Sequence, residues 1–337
     1  MKKREIVEKN KIGTEQLLQE KEIICNETLD LFYPFTKMAN DYLNEIYLLL
    51  FNNNFEFKYE PMEIDDTIAL VREFLSTIDE RYVKIFDKSL IDGTFELFLP
   101  EDNLIERPEG PTTMDKPEAI IYVPIHHNVT DGSIIIHEFF HYLNDKEQLI
   151  GIRDLFTEMI SIYFELRFSQ FLDDKGITTN KFNKETCERI YSTAYSADNL
   201  FYTGSIFDVY HNMGKINRKN IKIINKYRKI YSEDAMLNFY SSESFLMDMF
   251  DFYGDASYLL GTMISFYILN NPTVSDIKMK YINDNINQMS IKDVLKILQT
   301  NFDEYPNWIK ACKENLKKAM SEIYEKNYSY SRTNSSR

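Results

Sequence analysis

The sequence predicts a mainly α-helical fold with a small antiparallel β-sheet set beside one particular helix. Apolar residues recur at helical spacing along most of the chain. A β-branched run, AIIYVPIHH at 119–127, reads as a strand. Directly after it, IIIHEFFHYLND at 134–145 reads as a helix that carries two histidines four residues apart.

Taken in order, residues 25–51 predict a helix interrupted near Pro34, because proline removes a backbone donor. IDDTIALVREFLSTID at 64–79 opens on two aspartates and continues as an amphipathic helix. IDGTFELFLP, from 91, predicts a strand or hairpin piece, and the proline-rich EDNLIERPEGPTTMDKPE an exposed loop. Pro124 predicts an edge position for the strand 119–126, because proline cannot donate to a central ladder. Thr130 or Asp131 can cap the next helix, expected from about Ser133. A further helix is expected at 151–172 and stops before Gly176; helices follow from 185, with breaks at Gly204, Gly214, Gly254 and Pro272. The end, NYSYSRTNSSR at 327–337, is expected to be a fraying polar tail.

The 337 residues, 44% hydrophobic and 27% charged, have a globular balance and suffice for a sizeable core. A net charge of −14 argues against a nucleic-acid-binding surface, which needs a basic stripe. Cys25, Cys187 and Cys312 show neither metal spacing nor an even pairing. With no apolar run long enough to span a bilayer and no leader-like start, the expected location is cytoplasmic, away from membranes.

The chemistry is concentrated in HEFFH. On a helix, positions i and i+4 share a face, so His137 and His141 can aim ring nitrogens at one metal ion. Glu138 is rotated by about 100° from His137, beside that ion, where it can accept a proton from an attacking water. The rival reading is an apolar helix with two structural histidines, but a buried imidazole pair without a partner is costly. Zinc hydrolases use three protein ligands and leave one position open. Glu158 and Glu165, two turns apart on the next helix, are the candidates: one can close the site while the other supports it. Asp145 is a further supporting candidate, and His126, at the end of the strand, could touch substrate.

In the order IIYVPIHHN, HEFFH, TEMISIYFE and FYGDASYLLG, the chain resembles the thimet oligopeptidase and oligoendopeptidase F metallopeptidases, the latter branch most closely. The likeness runs from about 60 to 325 and implies a short form lacking most of the N-terminal lobe. It implies a zincin-type catalytic domain holding one Zn2+ per chain, with His137, His141 and Glu158 as ligands and Glu165 behind them. It also implies that Tyr258 polarises the scissile carbonyl and that Tyr253 contacts substrate. The chain departs from the family at Phe140 (a glycine there), at Ile160 (a proline) and at Asp248, near the place of a histidine.

The expectation is therefore a helical segment at 1–60, a metallopeptidase domain at 61–326 and the tail at 327–337. The expected activity is zinc-dependent endopeptidase cleavage of oligopeptides, with an extended peptide adding to the edge of the strand 119–126. Two alternatives stay open: a specialised peptidase for one peptide or leader, and a non-catalytic zinc protein that binds peptides.

Overall fold

The computed structural model describes residues 26–50, 55, 57–99, 112–114, 120–144, 154–213 and 252–334, with single positions at 219, 222, 234, 238, 240 and 241. The chain divides into two compact units, one from Met1–Asn53 with Tyr191–Leu259, the other from Asn54–Ile190 with Leu260–Arg337. The architecture is mainly helical with one small sheet.

In the first unit, α1 (Asn26–Leu50) runs straight through Pro34. Losing one backbone donor is outweighed by the stripe that follows: Phe35, Met38, Ala39, Tyr42, Leu43, Ile46 and Leu50 recur at helical spacing and are all buried. Gly204, expected to break a helix, lies inside the helix Lys181–Met213. A Cβ there would meet Thr36 Oγ1 at 1.9 Å, so the glycine permits close packing on α1. Gly254 likewise sits inside the helix Phe252–Ile268, while Gly214 lies outside the described residues.

The second unit opens with α2 (Ile64–Ile78) and α3 (Glu80–Asp92). Asp79 separates them and caps α3 by accepting from the Arg81 amide at 2.8 Å. The sheet has three strands in the order β1 (Phe95–Phe98), β3 (Ile120–Pro124), β2 (Thr112–Met114). Its pairing is mixed: β3 runs antiparallel to β2 and parallel to β1. Thus β3 is central, and the expected free edge is already paired on both sides. Proline is tolerated because it comes last in the strand. The Ile121 and Ile125 amides point to β1, so the Pro124 nitrogen faces the β2 side, past the last described pair, Thr112 with Tyr122.

The strand leads into α4 (Thr130–Asn144), which starts earlier than the sequence suggests. Neither expected residue caps it: Asn128 Oδ1 accepts from the Thr130 amide at 2.8 Å, and Asp131 turns back to accept from the His126 and Asn128 amides. Helix α4 packs against β3 and along α5 (Asp154–Asp174). Gly132 allows this approach, since a Cβ would lie 2.5 Å from the Phe168 ring. Phe140 stacks on Phe164 with centroids 4.0 Å apart and planes 10° from parallel. At the far end of α4, Asn144 donates to Asn283 Oδ1 at 3.0 Å, and Asn283 to the Tyr82 hydroxyl at 3.0 Å.

Helix α6 (Lys181–Met213) and helix α7 (Phe252–Ile268) follow, then α8 (Pro272–Asn285), which begins on Pro272 as expected. Helix α9 (Ile291–Leu298) and α10 (Tyr305–Asn334) complete the unit; the backbone of α10 continues helical through most of the expected tail. Among the described residues, no helix is long and apolar enough to cross a membrane.

Candidate metal centre

Helix α4 is buried almost all round, and its half-open line runs through Ile134, Glu138 and His141. His137, 6% exposed, faces α5. That helix is apolar on nearly every side, and Glu158 and Glu165, two turns apart, interrupt it with charge.

The His137 and His141 Nε2 atoms lie 3.1 Å apart. The Glu158 carboxylate completes the group, with Oε2 3.4 Å from His137 Nε2 and Oε1 3.3 Å from His141 Nε2. Donors about 2.0–2.1 Å from one tetrahedral zinc ion lie about 3.3–3.4 Å from each other. The two ring nitrogens are close to that spacing, and one ligand atom from each of the three residues lies within 4.8 Å of the others, so the group can hold a metal ion. Glu158 Oε2 is buried and has no hydrogen-bond partner among the described residues, as expected of an oxygen kept for an ion.

The opposite ring nitrogen is also engaged. His137 Nδ1 lies 2.8 Å from Glu165 Oε2. Glu165 is buried in turn against Arg189, whose Nη2 lies 2.6 Å from Oε1 and 2.5 Å from Oε2. Burial raises the Glu165 carboxyl, but Arg189 and His137 outweigh it and hold it well below the usual carboxylate range. Glu165 is thus an ionised acceptor, and His137 Nδ1 is the donor. Burial pulls the His137 ring down, but Glu158 and Glu165 outweigh it and hold the imidazole up at about 10. Burial likewise raises Glu158, but the charges of His141 and His137 hold it below its usual range. The shifts are reciprocal: the carboxylates hold the imidazole up, and the imidazoles and Arg189 hold the carboxylates down.

A second buried group lies behind Glu165. Lys181 Nζ is 2.8 Å from Glu185 Oε2, 2.6 Å from Ser133 Oγ and 3.0 Å from Ser169 Oγ. Burial, reinforced by the neighbouring Glu165 and opposed by Lys181, pushes the Glu185 carboxyl up to about 8. The sequence reading missed Lys181, Glu185 and Arg189; their signal is a spacing of one helical turn each along KFNKETCER.

The remaining candidates are placed as follows. His126 is 49% exposed, with Nδ1 3.5 Å from Asp131 Oδ1. Tyr258 is on α7, in the stretch belonging to the first unit, and is 37% exposed. Tyr253 is on the same helix, but its side chain lies outside the described residues, as does all of Asp145. Gly261, further along α7, approaches the ligand-bearing turn closely: a Cβ there would lie 2.9 Å from the Met159 nitrogen and 3.0 Å from the Glu158 carbonyl carbon.

No protein-family model matches the sequence, and no curated protein matches it. The fold is similar to the crystal structure of a putative peptidase from Chlamydophila abortus, at 13% identity and a TM-score of 0.58. The match covers 87% of this chain and 54% of that one, so the chain spans about half the length of its structural neighbour.

Proposed function

We propose that the chain is a zinc-dependent endopeptidase of the oligoendopeptidase F type, acting on oligopeptides. The observation that carries this reading is the group of His137, His141 and Glu158, whose ligand atoms lie within 4.8 Å of one another, with Glu138 next to it on the half-open line of α4. The peptidase fold of the structural neighbour is consistent with it.

His137, His141 and Glu158 would hold the ion, and Glu165 would orient His137. Zinc, when bound, supplies Lewis acidity toward a carbonyl and makes a water a better nucleophile at neutral pH. Glu138 accepts the proton of the attacking water as the new C–O bond forms, and returns it to the leaving amine as the peptide C–N bond then breaks. Tyr258 donates a hydrogen bond to the developing oxyanion, a role resting on the family resemblance, as do the substrate contacts of Tyr253. His126, exposed at the turn after β3, is available to substrate. Because β3 is paired on both sides, a peptide that extends this sheet would do so along β1 or β2.

The deciding experiment is a paired measurement on Glu138→Gln. Zinc content should match the wild type while hydrolysis of a quenched peptide library falls by about 10²–10⁴-fold. Retained zinc with wild-type turnover would show that another group activates the water. A wild type that binds zinc and cleaves no peptide would leave the peptide-binding reading in its place.

A further inference from the structure

Lys181, Glu185 and Arg189 follow one another at intervals of one turn along α6. The charged ends of all three are drawn into the protein, and Lys181 is fully buried. Charge in such a place is costly unless it is paired, so the partners show what the stripe serves. Arg189 binds Glu165, and Glu165 accepts from His137.

We infer that Arg189 is a positioning residue of the metal centre: by bridging both oxygens of Glu165 it holds that carboxylate to His137 Nδ1, so that Nε2 faces the point shared with His141 and Glu158. The role of the metal rests on the metallopeptidase reading; the effect on His137 does not. Glu165 Oε2 is shared between Arg189 Nη2 and His137 Nδ1, and Arg189 also reaches Oε1. Without Arg189, the carboxylate would lose the partner that spans both its oxygens and would be free to turn away from the imidazole. Arg189 holds it in the one orientation that meets His137. Both contacts to Glu165 come from a cationic group, so a lysine keeps the charge that a methionine of similar bulk lacks.

The test compares Arg189→Met, Arg189→Lys and Glu165→Gln with the wild type by two readouts. The first is the zinc Kd at neutral pH by chelator competition. Arg189→Met should bind zinc about 10–100-fold more weakly, the effect usual for outer partners of metal-ligating histidines, and Arg189→Lys should recover most of it. The second is the imidazole region of 15N–1H NMR spectra of the metal-free proteins. The hydrogen-bonded His137 Nδ1 proton should exchange slowly in the wild type and Arg189→Lys, and be lost in Arg189→Met and Glu165→Gln. Should Arg189→Met fail to fold, Arg189→Gln is read the same way. An Arg189→Met protein with wild-type zinc Kd and an unchanged Nδ1 proton, whatever its melting temperature, overturns the inference. A wild type that binds no zinc but shows the proton, lost in Arg189→Met, overturns the metallopeptidase reading and leaves the positioning role standing.

Discussion

His137 Nδ1 donates to Glu165 Oε2 across 2.8 Å, while the other nitrogen of the same ring faces Glu158. Two glutamates seven residues apart on one helix therefore bracket a single imidazole from opposite edges. Their chemistry is alike, and the nitrogen each one meets sets its role.

This bracketing separates the two in a metal-retention experiment. Glu158→Gln and His141→Ala should each lose most of the proposed zinc, about one equivalent per chain. Glu165→Gln should keep zinc at saturating concentration and lose about 10–100-fold in affinity. Elemental analysis followed by chelator competition checks the order, and a reversed order would move the ligand role to Glu165.

Tyr258→Phe removes one hydroxyl and almost no volume from a side chain that is 37% exposed. If that hydroxyl meets the oxyanion, kcat should fall about 10²-fold with zinc content unchanged. An unchanged kcat would end the proposed role.

Gly261→Ala should disturb the metal site from the rear. The added methyl would meet backbone, at the Met159 nitrogen and the Glu158 carbonyl carbon, and backbone cannot swing aside as a side-chain tip can. Overpacking of this kind costs about 1–3 kcal/mol. Thermal unfolding should show that loss, and zinc competition should show weaker binding because the displaced turn carries Glu158. Full stability together with full zinc affinity would mean that α7 moves away freely.

Glu185 makes a prediction about pH. Its carboxyl is pushed up from 4.5 to about 8. Between those values the folded protein keeps a proton that the unfolded chain has released, so this group's contribution to stability falls as pH rises through the window. Glu185→Gln, which resembles the neutral acid, should lack this slope. Melting temperatures of the metal-free proteins should therefore diverge in the variant's favour by several degrees toward the alkaline end. Parallel curves would show that Glu185 is ionised throughout.

The site was legible where local geometry alone decides it. HEFFH sits on one helix, and a spacing of four fixes the shared face of His137 and His141 whatever surrounds them. Glu158 and Glu165 were legible as a same-face pair, but the spacing could not tell which nitrogen each would meet. Where tertiary packing decides, the reading failed. Pro34 and Gly204 are local breakers that a buried stripe and a close helix contact override. Pro124 suggested an edge, but β3 is central, and the missing donor faces the β2 side past the last described pair. Lys181, Glu185 and Arg189 would ordinarily pass for a solvated face, and only their partners on other helices show that they point inward.

Phe140 stands where the resembled family has glycine, and its ring lies flat against Phe164, joining the helix of the histidines to that of the glutamates. The join involves no ion. It sits one residue from His141 and one from Glu165, so the carboxylate that meets His137 Nδ1 is brought into register with the histidine helix by aromatic packing. A cation entering the candidate cradle would then cost little conformational entropy, because the helix of the histidines and the helix of the glutamates are already fastened to each other.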